Sequence, residues 1–150
     1  MWFDRGLNWC FGFHHEEAIY CFEKSLEADP ECAMAHWGIA YAAGPNYNMP
    51  WELYDPDGKA VALSRAFDAA AAASRLAGRV TSRERALIEA LSARYPQRDT
   101  VDDQSPWNDA FASAMREAYL LIPVLVRSML HFAYCCKLVV KLDKARPLKS

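Results

Sequence analysis

Apolar residues along this chain recur at helical spacing, not in strand-like alternation. Ile19, Phe22 and Leu26 are three and four residues apart, which puts them on one face of a helix predicted over Glu16–Ala28. A first helix is predicted over residues 2–12, with Gly12-Phe-His-His making the turn between the two. No Ser, Thr, Asp or Asn precedes that first helix, so either its end frays or the chain starts upstream. Cys32–Ala43 reads as a third helix, with Met34, Trp37, Ile39 and Tyr41 leaving almost no polar side. A helix of that kind is expected between neighbours on several faces.

The pattern breaks at Gly44-Pro-Asn-Tyr-Asn-Met-Pro-Trp51, where two prolines and two asparagines favour turns, and Tyr54-Asp-Pro-Asp-Gly58 adds a second turn signal. The two together predict an irregular connection over 44–58. Lys59–Leu76 follows as an alanine-dominated helix that suits close helix approach, ended by Ala77-Gly78. Thr81 with Glu84 forms a capping-box signature for a fifth helix, whose buried face is Leu87, Ile88 and Leu91 and which Tyr95-Pro96 ends. The polar run Gln97–Ser105 is a linker. Pro106 then opens a sixth helix carrying Phe111, Ala114, Met115 and Ala118. Six segments pair as three helical hairpins.

Gly6, Trp9, Ala18, Phe22 and Pro30 refine the reading of the first hairpin. A glycine permits close approach of the second helix, a small residue faces it, an aromatic fills the groove beside it, and a proline stops helix two after Asp29. This spacing is the pattern of the tetratricopeptide repeat (TPR), whose period is about 34 residues. The stretches Phe3-Asp-Arg-Gly-Leu-Asn-Trp9 and Asp29-Pro-Glu-Cys-Ala-Met-Ala-His-Trp-Gly-Ile-Ala40, with Gly44-Pro-Asn-Tyr-Asn48, go further. They resemble a widespread group of TPR-domain proteins that open with a similar repeat, a CAMAxWGxA segment and a GPNxN exit loop. The resemblance spans residues 2–119, is strongest over 2–50, and departs from the usual repeat at Arg5 and Ser25. It implies an all-α fold in which TPR-like hairpins stack as a short right-handed solenoid over residues 1–119, with a first repeat over 2–30. It also implies protein binding, and it supplies no catalytic residue. Against an ordinary TPR turn, the 44–58 connection is an insertion of roughly a dozen residues.

After Tyr119 the chain changes character. Leu120–Val140 is strongly apolar with no amphipathic stripe, and Lys141, Lys144, Arg146 and Lys149 follow. Three readings of the 120–150 tail compete: a membrane anchor through 120–140, a terminal helix folded onto the solenoid, and a gene-model artefact replacing the end of a longer TPR protein. Against the anchor, a central arginine such as Arg127 costs about 2.5–3.5 kcal/mol on insertion, and Pro123 interrupts the helix.

Composition narrows the function classes. With 17 Lys and Arg against 19 Asp and Glu, the net charge of −2 argues against nucleic acid as partner. Five cysteines without framework spacing, and a start carrying Asp4, Arg5, Glu16 and Glu17, suit reduced thiols in the cytoplasm. Cys10, His14, His15 and Cys21 include zinc-type ligands, yet no CxxC or HExxH spacing is present and no metal or other cofactor is expected. Glu16 and Glu17 complement the start of helix two. No glycine-rich phosphate loop, GxSxG elbow or Cys/His/Asn set occurs, so the expectation is a non-enzyme.

The resulting expectation is a protein-interaction scaffold that captures a peptide or helix on the concave face lined by the first helix of each pair. Asn8 and His36 are its candidate polar contacts. Tyr47, Trp51 and Tyr54 in the inserted connection are the candidate aromatic anchors, weighed against simple packing of that connection on helices three and four. Trp9, Phe22 and Trp37 are expected in the core. Self-association through an uncapped end, a membrane-associated accessory domain and a small metal-binding protein complete the alternatives.

Overall fold

The computed structural model describes residues 1–121, and every regular element within them is helical. The α-helices are α1 (Trp2–Phe11), α2 (His15–Ala28), α3 (Ala33–Ala43), α4 (Pro56–Leu76), α5 (Ser82–Ser92) and α6 (Ser105–Leu120), with short 3-10 turns at Trp51–Leu53 and Ala77–Arg79. All but one of the expected segments begin within a residue or so of their observed starts. The exception is α4, which starts at Pro56 and not at Lys59. Asp55 accepts a hydrogen bond from the Gly58 amide at 2.8 Å and Pro56 occupies the first turn, so the expected turn over Tyr54–Gly58 is itself the start of the helix. The irregular connection therefore runs from Gly44 to Asp55.

Ring contacts set the direction of the first hairpin. Trp2 and Phe3 at the start of α1 meet Tyr20 and Phe22 well along α2, while Trp9 near the end of α1 meets His14, the residue just before α2, so the start of α1 lies beside the later part of α2. The two helices are antiparallel. Consecutive helices pack in chain order, and α3 also touches α1 and α5. With α1, α2, α4 and α5 around it, α3 buries Ala33, Ala35, Trp37, Gly38, Ile39, Ala40 and Ala42, which explains why its sequence shows no polar stripe.

Phe22 is the centre of this packing and is fully buried. Its ring lies against Gly6 of α1, where an added Cβ would stand 2.5–2.8 Å from ring carbons. Gly38 of α3 meets the same ring, with the corresponding distances at 2.7 Å. A single aromatic thus wedges between two glycine backbones, and the three residues fall at equal sequence intervals.

Three tryptophan and phenylalanine positions were expected in the core, and Trp9 is the one that departs from it. Its side chain is 43% exposed and makes an edge contact with His14 at 5.3 Å. The buried positions of α1 are Gly6 and Cys10, one turn apart, and Trp9 projects about 100° away from Cys10. Phe22 and Trp37 are buried as expected.

The remaining helices add one layer at a time. The capping box of α5 is present, with the Thr81 amide donating to Glu84 at 2.9 Å and the Glu84 amide donating to Thr81 Oγ1 at 3.3 Å. Trp37 Nε1 donates to the Leu87 carbonyl at 3.1 Å and ties α3 to α5. Phe111, Ala112, Met115 and Ala118 are the buried face of α6. From residue 122 onward, the apolar and basic tail, including most of the 120–140 stretch read as an anchor, lies outside the described residues.

Candidate functional site

The 44–55 connection is rooted in residues far along the chain. At the end of α3, Tyr95 donates its hydroxyl to the Ala40 carbonyl at 3.1 Å, and Arg94 Nη2 donates to the Pro45 carbonyl at 3.0 Å. A cation placed at the carbonyl end of a helix complements its dipole. Gly44 is required beside them, because an added Cβ would fall on the Tyr95 hydroxyl. The Arg94 guanidinium lies over the Phe111 ring at 4.8 Å, so α5 and α6 both fix the root of the connection.

From that root the backbone closes on itself. The Asn46 amide donates to the Met49 carbonyl at 3.0 Å, while Asn46 Oδ1 accepts from the Asn48 and Met49 amides at 3.0 and 3.1 Å. The Leu53 amide then donates to Pro50 at 3.0 Å, forming the 3-10 turn. Asp55 caps α4 directly afterwards. These bonds sort the side chains by direction. Trp51 is 3% exposed and meets the half-buried Tyr54 ring at 5.5 Å. Tyr47, Met49 and Leu53 are 54%, 36% and 63% exposed.

Electrostatics follows burial. The Tyr95 phenol is held above its usual range chiefly by burial, with the neighbouring Arg94 opposing. Burial likewise raises the Tyr54 phenol against the same cation. Trp51 Nε1 and Arg94 Nε are buried without a hydrogen-bond partner among the described residues. Both atoms are closed to solvent, so neither faces an incoming ligand.

Of the expected contact residues, the structure gathers Tyr47, Trp51 and Tyr54 on one short connection, with only Tyr47 pointing well outward. Asn8 is exposed on α1. His36 is half-buried, and its Nε2–H reaches the Pro30 carbonyl at 3.0 Å, clasping the turn before α3. No hydrogen bond, ion pair or ring contact joins Asn8 or His36 to the 44–55 connection among the described residues. Met49 and Leu53 escaped the sequence reading. The available signal was a proline followed by a single helical turn, which sets Trp51 and Leu53 on different sides. In the sequence Tyr95 marks only the end of the fifth helix, and nothing there singles out Arg94.

Cys10, Cys21 and His15, read in the sequence among possible zinc-type ligands, lie in α1 and α2. Cys10 is buried and its thiol is pushed up to about 12 by burial. Cys21 is raised by burial and by Glu17, against Arg5. His15 is lowered by burial and engages the Phe13 carbonyl at 3.2 Å. No group of three or more His, Cys, Asp or Glu side chains is placed to hold a metal among the described residues. A shallow groove of about 350 Å³ lies between Ala60, Val61 and Ser64 of α4 and Arg98, Asp99 and Thr100 of the linker. Its Arg98 is engaged by Asp68 through bonds of 3.1 and 2.9 Å.

Comparison of the chain with protein-family models, with curated proteins and with solved structures finds no match in any of the three.

Proposed function

We propose that this chain is a TPR-like helical-repeat module acting as a protein-interaction scaffold, with its contact surface centred on the 44–55 connection. The observation that carries the reading is the division of labour within that connection. Trp51 is anchored inside, the backbone is tied by its own hydrogen bonds, and Tyr47, Met49 and Leu53 are held out in water. Apolar side chains on a frame already ordered lose little conformational freedom when a partner covers them, so more of the burial energy is kept as affinity. Aromatic and other large apolar anchors of this kind dominate interfaces.

The TPR-like part of the proposal is supported by the Gly6–Phe22–Gly38 wedge and by the adjacency of α1, α3 and α5, the first helices of the three pairs. That adjacency would give Asn8 and His36 a shared face, as the concave-face reading requires. The alternative of an anchored accessory domain depends on the 120–140 stretch. Among the described residues no helix is long and apolar enough to cross a membrane.

The test is site-specific photocrosslinking in cells. A photoreactive phenylalanine at position 47 or 53 is expected to give a discrete adduct that the same probe at Asp109, on the exposed side of α6, does not give. Adducts of equal yield at all three positions, or at none, overturn the proposal.

A further inference from the structure

We infer that the Tyr47–Met49–Leu53 surface takes a basic, amphipathic protein segment, one that sets lysine or arginine beside an apolar stripe; this rests on the docking reading above and names the partner class. The argument begins with charge. No lysine or arginine occurs between Lys24 and the half-buried Lys59, and the acids of the outer connection and the first turn of α4 are Glu52, Asp55 and Asp57, all exposed. Asp55 is engaged in capping α4. Glu52 and Asp57 enter none of the ion pairs found among the described residues, which join Asp4, Glu23, Glu27, Glu31 and Asp68 to their cations. Arg94, the cation fixed at this site, is turned inward onto Pro45 and Phe111 and does not neutralise the outer rim.

The wider field has the same sign. The full chain carries 17 Lys and Arg against 19 Asp and Glu, a net charge of −2, with the acidic excess in residues 1–121 and the basic excess in 122–150. An acidic partner would therefore meet like charge at the rim, whereas a basic one is attracted there over a distance of about 8 Å at physiological salt. Geometry sets the size of the segment. Tyr47 and Leu53 are six positions apart, so even a fully extended chain would keep the apolar anchors within about 21 Å, and a helix of about 14 residues is long enough to reach all three.

Three fluorescein-labelled 14-residue peptides test this on the full 150-residue chain by fluorescence anisotropy. One is a Leu/Lys amphipathic helix, one a Leu/Glu counterpart with the same apolar face, and one a Lys/Ser peptide lacking the leucines. The Leu/Lys peptide is expected to bind at least tenfold more tightly than either of the others, and more weakly as salt rises. Leu53→Ser, and separately the pair Glu52→Gln with Asp57→Asn, are each expected to weaken it several-fold. Glu16→Gln with Glu17→Gln on α2 is expected to leave it unchanged. These positions are exposed, and circular dichroism verifies that each variant keeps its helices. If the Leu/Glu peptide binds as well and Leu53→Ser weakens both, the basic-partner inference fails while the docking surface stands. If no peptide binds, or Leu53→Ser changes nothing, the docking reading fails with it. An equal loss from the α2 pair would show that general acidity is responsible and would overturn the assignment to this site.

Discussion

Replacing Gly38 by alanine puts two effects of known size in opposition. In an isolated helix the change is favourable by about 0.8–1 kcal/mol, because glycine is the poorer helix former. In this protein the added Cβ would stand 2.7 Å from three carbons of the Phe22 ring. The ring has no path of retreat, since the Gly6 backbone holds its other contact and the side chain is fully buried. Relief requires either a rotamer distortion, at about 0.5–1.5 kcal/mol, or displacement of α1 or α3; overpacking of this kind costs about 1–3 kcal/mol in well-packed cores. The strain exceeds the propensity gain, and a net destabilisation of up to about 2 kcal/mol is expected.

Gly78→Ala supplies the control, because nothing lies within 4 Å of the position its Cβ would take. That substitution is expected to stabilise by about 0.4–1 kcal/mol through loss of unfolded-state freedom. Urea unfolding followed by circular dichroism measures both. A second variant isolates the cause: Phe22→Leu combined with Gly38→Ala is expected to cost less than the sum of the two single changes by about 1 kcal/mol or more, since the smaller side chain vacates the contested space. A Gly38→Ala protein as stable as the parent, or more so, refutes the wedge as the organising contact of α1, α2 and α3.

Two further outcomes follow from buried groups. Tyr95→Phe removes the bond to the Ala40 carbonyl at the end of α3 and is expected to destabilise by about 1–2 kcal/mol in the same urea assay, with Gly44 unchanged. Cys10 gives a pH dependence: its folded thiol titrates at about 12 against 9.0 for the free group, so above pH 9 the unfolded chain has lost a proton that the folded chain retains. Stability owed to this group is therefore constant below pH 9 and falls as pH rises toward 12, and Cys10→Ala is expected to flatten that part of the curve; an identical slope in the variant contradicts the assignment.

Local signals in the sequence were enough to place the helices, because periodicity, the Thr81–Glu84 capping box and Pro106 each act within a few residues. Ambiguity arose where one local signal serves two structures. Asp55-Pro-Asp-Gly58 has the chemistry of a turn and equally that of an N-cap followed by a first helical turn, and the alanine run behind it decides in favour of the helix. Trp9 shows a different limit. Spacing identifies which residues share a face, but not how far a neighbouring helix extends over that face. Gly38 was legible in principle, since Gly38-Ile-Ala-Tyr41 repeats the Gly6-Leu-Asn-Trp9 spacing, and the repeat becomes meaningful once Phe22 is seen against both glycines.

The candidate site shows most clearly why sequence reading stops short. Tyr47, Trp51 and Tyr54 have the same character as neighbours in a proline-rich stretch, and nothing within that stretch ranks one as anchor and another as contact. The ranking comes from Arg94 and Tyr95, more than forty residues later, which clamp Pro45 and Ala40 and so fix the direction in which the connection leaves α3. Once that direction is set, the Asn46 turn and the 3-10 turn carry Trp51 inward and leave Tyr47, Met49 and Leu53 outside. The proposed contact surface is thus a product of tertiary packing: its chemistry is supplied by residues 47–57 and its shape by α3, α5 and α6. A partner that reads the surface therefore reads the folded state of the domain, and an isolated peptide copy of the connection lacks the clamp that presents it.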